Sequence, residues 1–126
     1  MSAIRQRAIQ GLRIGDTFTV SRTFSEQDVL RFADMSLDYN PGHFDDRFAR
    51  TKNLENRICH GLLVASMVTE IGGQIGWLAS GMDFKFKKPV YFGQTVHCEF
   101  TITDIDDRCW ARAEAVFTTE DGSVVM

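Results

Sequence analysis

Apolar and polar residues alternate along "DTFTVSRTF" (16 to 24), where Phe18 and Val20 fall between Thr17, Thr19 and Ser21. This two-residue period predicts a half-buried strand. The period then changes. "SEQDVLRFADMS" (25 to 36) opens on Ser25, a favourable N-cap, with Asp28 at the third helical position. Val29, Leu30, Phe32 and Ala33 recur at helical spacing, which predicts an amphipathic helix ending near Ser36. Pro41 and Gly42 break the pattern, and "FDDRFAR" (44 to 50) has room for one or two helical turns. In "HGLLVASMVTEIGGQI" (60 to 75), Leu62, Leu63, Val64, Ala65, Met67, Val68 and Ile71 occupy most of a helical circumference. A helix over 61 to 72 therefore expects cover on nearly all sides. The last third alternates again, in "MDFKFK" (82 to 87), "TVHCEFTITDI" (95 to 105) and "CWARAEAVFT" (109 to 118). "EDGS" (120 to 123) is a hairpin turn centred on Asp121-Gly122. "VVM" then begins a further strand that is short or truncated. This order predicts a single α+β domain over 1 to 126, an antiparallel sheet wrapped around a central buried helix.

Composition narrows the function classes. With 126 residues, 44% of them apolar and 25% charged, the chain makes one domain with a real core. A net charge of −3 supplies no basic field for nucleic acid. Cys59, Cys98 and Cys109 are odd in number and contain no C-x-x-C, so neither a disulfide framework nor a zinc knuckle is expected. A reducing, cytoplasmic setting fits. "MSAIRQRAIQGLRIGD" has no continuous apolar run of a secretory leader. Residues 61 to 79 carry Glu70, Gln74 and several glycines, a poor membrane span. Neither nucleic acid nor membrane is expected as a partner.

The densest chemistry lies in "MSLDYNPGHFDD" (35 to 46). One reading is a polar loop, since Asp38 and Asn40 are turn formers and His43 is an ordinary loop residue. The other is a carboxylate and an imidazole that share one water. Pro41 fixes φ and Asn40 can bond loop backbone, so both would shape the loop. Asp45 and Asp46 suit the start of the next helical turn. Gly61 would open a buried helix, with free N–H groups and no Cβ to block a ligand. His60 beside it fits a structural role best. Ser66 bonds its own backbone or lines a pocket. A Cys59–His60 nucleophile is disfavoured, because adjacent side chains seldom meet. Asp38, His43 and His60 lack the spacing of a metal motif, so no metal is expected. His97 reads as strand surface, and Lys85, Lys87 and Lys88 read as a solvated face or as contacts to phosphate.

Taken together, "FSEQDVLRFADMSLDYNPGHFDDRFAR" and "ICHGLLVASMVTEIGG" resemble the MaoC-like (R)-specific enoyl-CoA hydratases. The matching positions are Ser36, Asp38, Asn40, Pro41, His43 and Asp45, then His60-Gly61. "FKFKKPVYFGQTV" is also similar to a family segment, with Gln94 where an acidic residue is more usual. The resemblance implies a hot-dog fold and reversible syn hydration of a trans-2-enoyl thioester. It implies Asp38 and His43 as catalytic pair and the Gly61 N–H as oxyanion donor, with Asn40, Pro41, His60 and Ser66 shaping the site. Leu63 and Met67 are candidates for the acyl pocket. No cofactor is implied beyond the coenzyme A that carries the substrate, and a homodimer or dimer of dimers is expected. Rival readings are a 3-hydroxyacyl-ACP dehydratase, an acyl-CoA thioesterase and a non-catalytic acyl-binding subunit.

Overall fold

A computed structural model describes residues 1–126. Three antiparallel strands form the sheet in the order β1 (Thr17–Thr23), β2 (Thr95–Ile105), β3 (Ala111–Thr119). The central strand β2 sets Phe100 opposite Phe18 and Cys98 opposite both Val20 and Phe117. One face is therefore apolar, with Val96, Cys98, Ile102 and Phe117 fully buried. The other face pairs polar side chains across the strands. Thr17 meets Thr101 at 3.0 Å, Thr23 meets Thr95 at 2.6 Å, and Ser21 meets His97 Nδ1 at 2.6 Å. The alternation read in the sequence is this division of faces.

Helix α2 (Glu26–Ser36) begins as expected, with a reciprocal capping box between Ser25 and Asp28. Asp45 caps α3 (Asp46–Thr51) by accepting from the N–H groups of Arg47 and Phe48. The apolar segment is two helices rather than one, α4 (Gly61–Ala65) and α5 (Met67–Ile75). At the junction the Ser66 hydroxyl donates to the Leu63 carbonyl, and Thr69 N–H donates to the Ser66 carbonyl. These three-residue bonds mark the interruption between the two helices. Met67, Val68, Ile71 and Ile75 of α5 are buried in the core cluster with Phe18, Val20 and Phe100 of the sheet. The opposite side is open, with Leu62 at 63% exposure and Ser66, Thr69 and Glu70 also exposed. Cover on nearly all sides is thus not met within one chain, because the sheet reaches only one face of the helices.

Two further expectations differ. A short helix, α1 (Ala3–Ile9), absent from the elements predicted above, packs on α5. Residues 82 to 87 do not form a strand. Their neighbour is the last three residues, of which Val125 donates to Phe117 and accepts from the N–H groups of Lys87 and Lys88. That single carbonyl is too little backbone for a ladder, so alternation here yields an extended loop. The Asp121-Gly122 turn is as expected, with Gly122 at φ +82° and its N–H on the Thr119 carbonyl.

Replacing Ser25 by Ala removes one half of the capping box. Stability should fall by about 1 kcal/mol, read as a lower urea midpoint at unchanged slope.

Candidate active site

The site is assembled from the loop after α2, a 3-10 turn at Pro41–His43, and the strand-like approach to α4. Leu37 ends α2 in the left-handed region at φ 63° and turns the chain sharply away from the helix. Asp38 follows. Its Oδ1 accepts from Asn40 N–H at 3.1 Å, which leaves Oδ2 free. Asn40 in turn caps the 3-10 turn, its Oδ1 accepting from Gly42 N–H at 2.9 Å, with Pro41 at the first position. The loop-shaping expected of Asn40 and Pro41 is carried out on main-chain groups, with no cavity contact from either.

His43 is buried, and its ring is fixed by one bond. Nδ1–H donates to the Ile58 carbonyl at 2.7 Å. In the neutral ring Nε2 is therefore the lone-pair nitrogen, and it lies 3.9 Å from Asp38 Oδ2. That gap is too long for a direct hydrogen bond. It fits a shared water: an oxygen about 2.8 Å from both atoms would see them at an angle of about 90°, near the angle between its own O–H bonds. Both groups are acceptors when Asp38 is ionised and His43 neutral. Such a water would donate both hydrogens inward and present its lone pairs outward.

His60 is 2% exposed and its ring stacks on that of His43, with centroids 3.8 Å apart. Its Nε2–H donates to the main-chain carbonyl of Asp38 at 2.9 Å, and Phe32 packs on it at 4.8 Å. Nδ1 is buried without a partner. Burial holds the pKa of His60 below the usual imidazole value, and His43 lowers it further, against the raising effects of the Asp38 carbonyl and carboxylate. The side chains of Asp38, His43 and His60 bring ligand-type atoms within 4.8 Å of one another. The Nε2–H of His60 and the Nδ1–H of His43 are held by carbonyls, which leaves His60 Nδ1 and His43 Nε2 as the lone-pair nitrogens of the set.

Asp38, His60 and Gly61 line a cavity of about 610 Å³ with Phe32, Leu54, Leu62, Val64, Phe86, Lys87, Lys88, Val90 and Met126. Its apolar walls were only partly foreseen. Leu63 and Met67 do not line it: Met67 is buried in the core and Leu63 packs against that core. Leu62 and Val64 line it instead, Val64 belonging to the core cluster as well. Ser66 is exposed and bonds only its own helix. At Gly61 the expected room for a ligand is taken up on one side, since a Cβ there would lie 2.7 Å from the Phe86 ring. The N–H side is different. His60 as N-cap makes no side-chain bond to the first turn of α4, so the N–H groups there are uncapped. Sequence reasoning missed Ile58, whose contribution is a main-chain carbonyl that any residue type could supply. Lys87 and Lys88, read from the sequence as a solvated face or as contacts to phosphate, line the cavity. Cys59 is buried, its thiol pushed up to about 12 by desolvation, and it is unsuited to nucleophilic work.

Comparison with known proteins places this geometry. The model of the MaoC-like domain matches residues 12–124. The chain is 33% identical over 122 residues to the (R)-specific enoyl-CoA hydratase of Aeromonas caviae, covering 93% of this chain and 91% of that one. It is 38% identical over 87 residues to a mitochondrial 3-hydroxyacyl-[acyl-carrier-protein] dehydratase of Arabidopsis thaliana, covering 68% of this chain and 52% of the plant protein. The chain thus spans about half the length of that plant relative. The solved structure of the A. caviae (R)-hydratase superposes with a TM-score of 0.83 at 31% identity, over 92% of each chain. The architecture is the hot-dog fold.

A buried neutral His60 has a consequence for stability. Its folded pKa lies below the value of 6.5 that the unfolded chain keeps. The unfolded state therefore binds the extra proton first as pH falls, and folding weakens below about pH 6.5, levelling off beneath the folded pKa. Asp38 and His43 are the titratable groups that face it. Melting temperatures from about pH 7 to about pH 5 should fall in the wild type and fall less in His60→Phe. Equal slopes would contradict a buried neutral ring.

Proposed function

The chain belongs to the MaoC-like domain family, and on that premise we propose that it is a hydro-lyase adding water reversibly across the double bond of a trans-2-enoyl thioester. The product is the (R)-3-hydroxyacyl thioester. What carries the reading is the pairing of Asp38 Oδ2 with His43 Nε2 at 3.9 Å beside an apolar cavity. Its support from outside is the 33% identity with an (R)-specific enoyl-CoA hydratase.

In the hydration direction the water held between Asp38 and His43 attacks C3. One of its protons passes to the pair, the C2–C3 π electrons move toward the thioester, and the pair returns a proton to C2. The water's oxygen and that proton come from one face, so addition is syn. Negative charge that builds on the thioester oxygen needs fixed donors, and the uncapped N–H of Gly61 supplies one. The acyl chain lies along Leu54, Leu62, Phe86 and Val90 rather than on Leu63 and Met67. The substrate arrives on coenzyme A, and no further cofactor enters the scheme.

Lys87 and Lys88 in the cavity lining suit the phosphate of a phosphopantetheine arm, which coenzyme A and carrier proteins share. The 38% identity with a carrier-protein dehydratase favours a second reading, dehydration of a 3-hydroxyacyl carrier protein by the same pair. Association of two copies also belongs to the proposal, because Leu62 on α4 and Met35 and Leu37 beside the site loop are exposed apolar side chains.

Mixed with crotonyl-CoA, the wild type should bleach the enoyl absorbance and yield the (R) alcohol. Asp38→Asn and His43→Gln should each lower kcat by about 10²–10⁴-fold with near-wild-type melting. An (S) product, or full activity of Asp38→Asn, would overturn the assignment. Rates on matched CoA and carrier-protein thioesters decide between the two carriers.

A further inference from the structure

We propose that His60 is a positioning residue of the reaction, acting through its Nε2–H on the main-chain carbonyl of Asp38. This inference rests on the hydration reading and assigns a role to a buried polar side chain beside the pair that the chemistry above leaves unused.

Three observations converge on it. First, the bond from Nε2 to the Asp38 carbonyl spans 2.9 Å and joins residues 22 apart in sequence, so it ties the loop after α2 to the start of α4. The Asp38 carboxylate is exposed on a loop, and its own loop contact uses only Oδ1. The main-chain bond is thus the link between Asp38 and the buried frame. Second, the ring lies against His43 at 3.8 Å and 27° between planes, while Phe32 closes the other side at 4.8 Å. Sliding His60 would displace both members of the pair at once. Third, Nδ1 is buried with no acceptor in reach. A carbonyl accepts only from a protonated nitrogen, so Nε2 carries the hydrogen and Nδ1 keeps a lone pair. A second proton on Nδ1 would be buried unpaired and next to His43, which opposes a cationic ring.

A neutral donor is what this location needs. A cation in contact with His43 would raise the cost of protonating that ring, which must take up or pass on a proton during turnover. Lys or Arg at 60 would hold the carbonyl but oppose that step. An apolar ring would fill the space but release the carbonyl.

The test compares His60→Phe, which keeps a stacked ring and loses the donor, with His60→Gln, which keeps a donor near the position of Nε2. His60→Phe should lower kcat by about 10²-fold with KM little changed, because the reacting group is misplaced rather than the substrate unbound. His60→Gln should return most of the lost kcat. Wild-type His60→Phe activity, or equal losses in both variants, would overturn the proposal. Folding of the variants is bypassed by long-range proton–nitrogen spectra of wild-type histidines. These should show one ring as the Nε2–H tautomer, neutral below the pH where the other rings protonate; an Nδ1–H tautomer for His60 would overturn it as well. If the wild type itself hydrates no enoyl thioester, the failure lies with the hydration reading; if it turns over and His60→Phe keeps pace, the failure lies with His60 alone.

Discussion

Ile58 is gripped at both of its main-chain polar groups by the 3-10 turn. Its N–H donates to the Gly42 carbonyl and its carbonyl accepts from His43 Nδ1–H. Most of the site follows from this double bond. It selects the tautomer of His43 and turns Nε2 toward Asp38. It also fixes the chain that runs on to Cys59, whose N–H binds the Val90 carbonyl, and to His60, which reaches back to Asp38. Two loops that would be mobile alone are locked through a few backbone groups, and α4 starts where they meet.

The cost of this arrangement is a polar cluster beside an apolar core. Two imidazoles are buried against Phe32 and the walls of α4, where an unbonded polar group loses free energy. Nearly every such group is paired: His43 by one carbonyl at Nδ1, His60 by one at Nε2, Asp38 by Asn40. Nδ1 of His60 is the exception. Leaving it unpaired costs on the order of 1–3 kcal/mol, and the cost is lowest when the ring stays neutral. The pairing leaves Asp38 Oδ2 and His43 Nε2 as the unbonded atoms that face each other, while Asp38 Oδ1, His43 Nδ1 and His60 Nε2 are tied to main-chain groups.

Patterns that depend on nearest neighbours in sequence were legible. The capping box at Ser25, the cap at Asp45 and the outward polar row of β1 and β2 follow from side-chain chemistry a few residues apart. The Asp38–His43 pair was legible as a motif. What escaped depends on partners far along the chain. Alternation over 82 to 87 signals a strand, but a strand needs a neighbour with several free backbone groups, and only Val125 offers one. Leu62 and Val64 line the cavity while Leu63 and Met67 pack in or against the core, a choice set by how the helix is rotated against partners far along the chain. The role of Ile58 left no trace, because a carbonyl oxygen is the same on every residue.

The division at Ser66 also bears on the open side of the site. A straight apolar helix over 61 to 75 would present one continuous stripe to the sheet, with its N-terminal turn covered like the rest. Instead α5 keeps the sheet contact while α4 turns Leu62 outward, at 63% exposure, beside Phe86 at 57%. Both residues border the cavity that holds Asp38 and Gly61. Apolar surface left uncovered beside Asp38 and His43 favours contact with hydrocarbon. An acyl chain can supply it on one side of α4, and a second copy of the chain can supply it on the other. Under the proposed function, substrate binding and association would draw on the same exposed leucine and phenylalanine, so the shape of an acyl channel there would be set jointly by the fold of one chain and by what covers its open face.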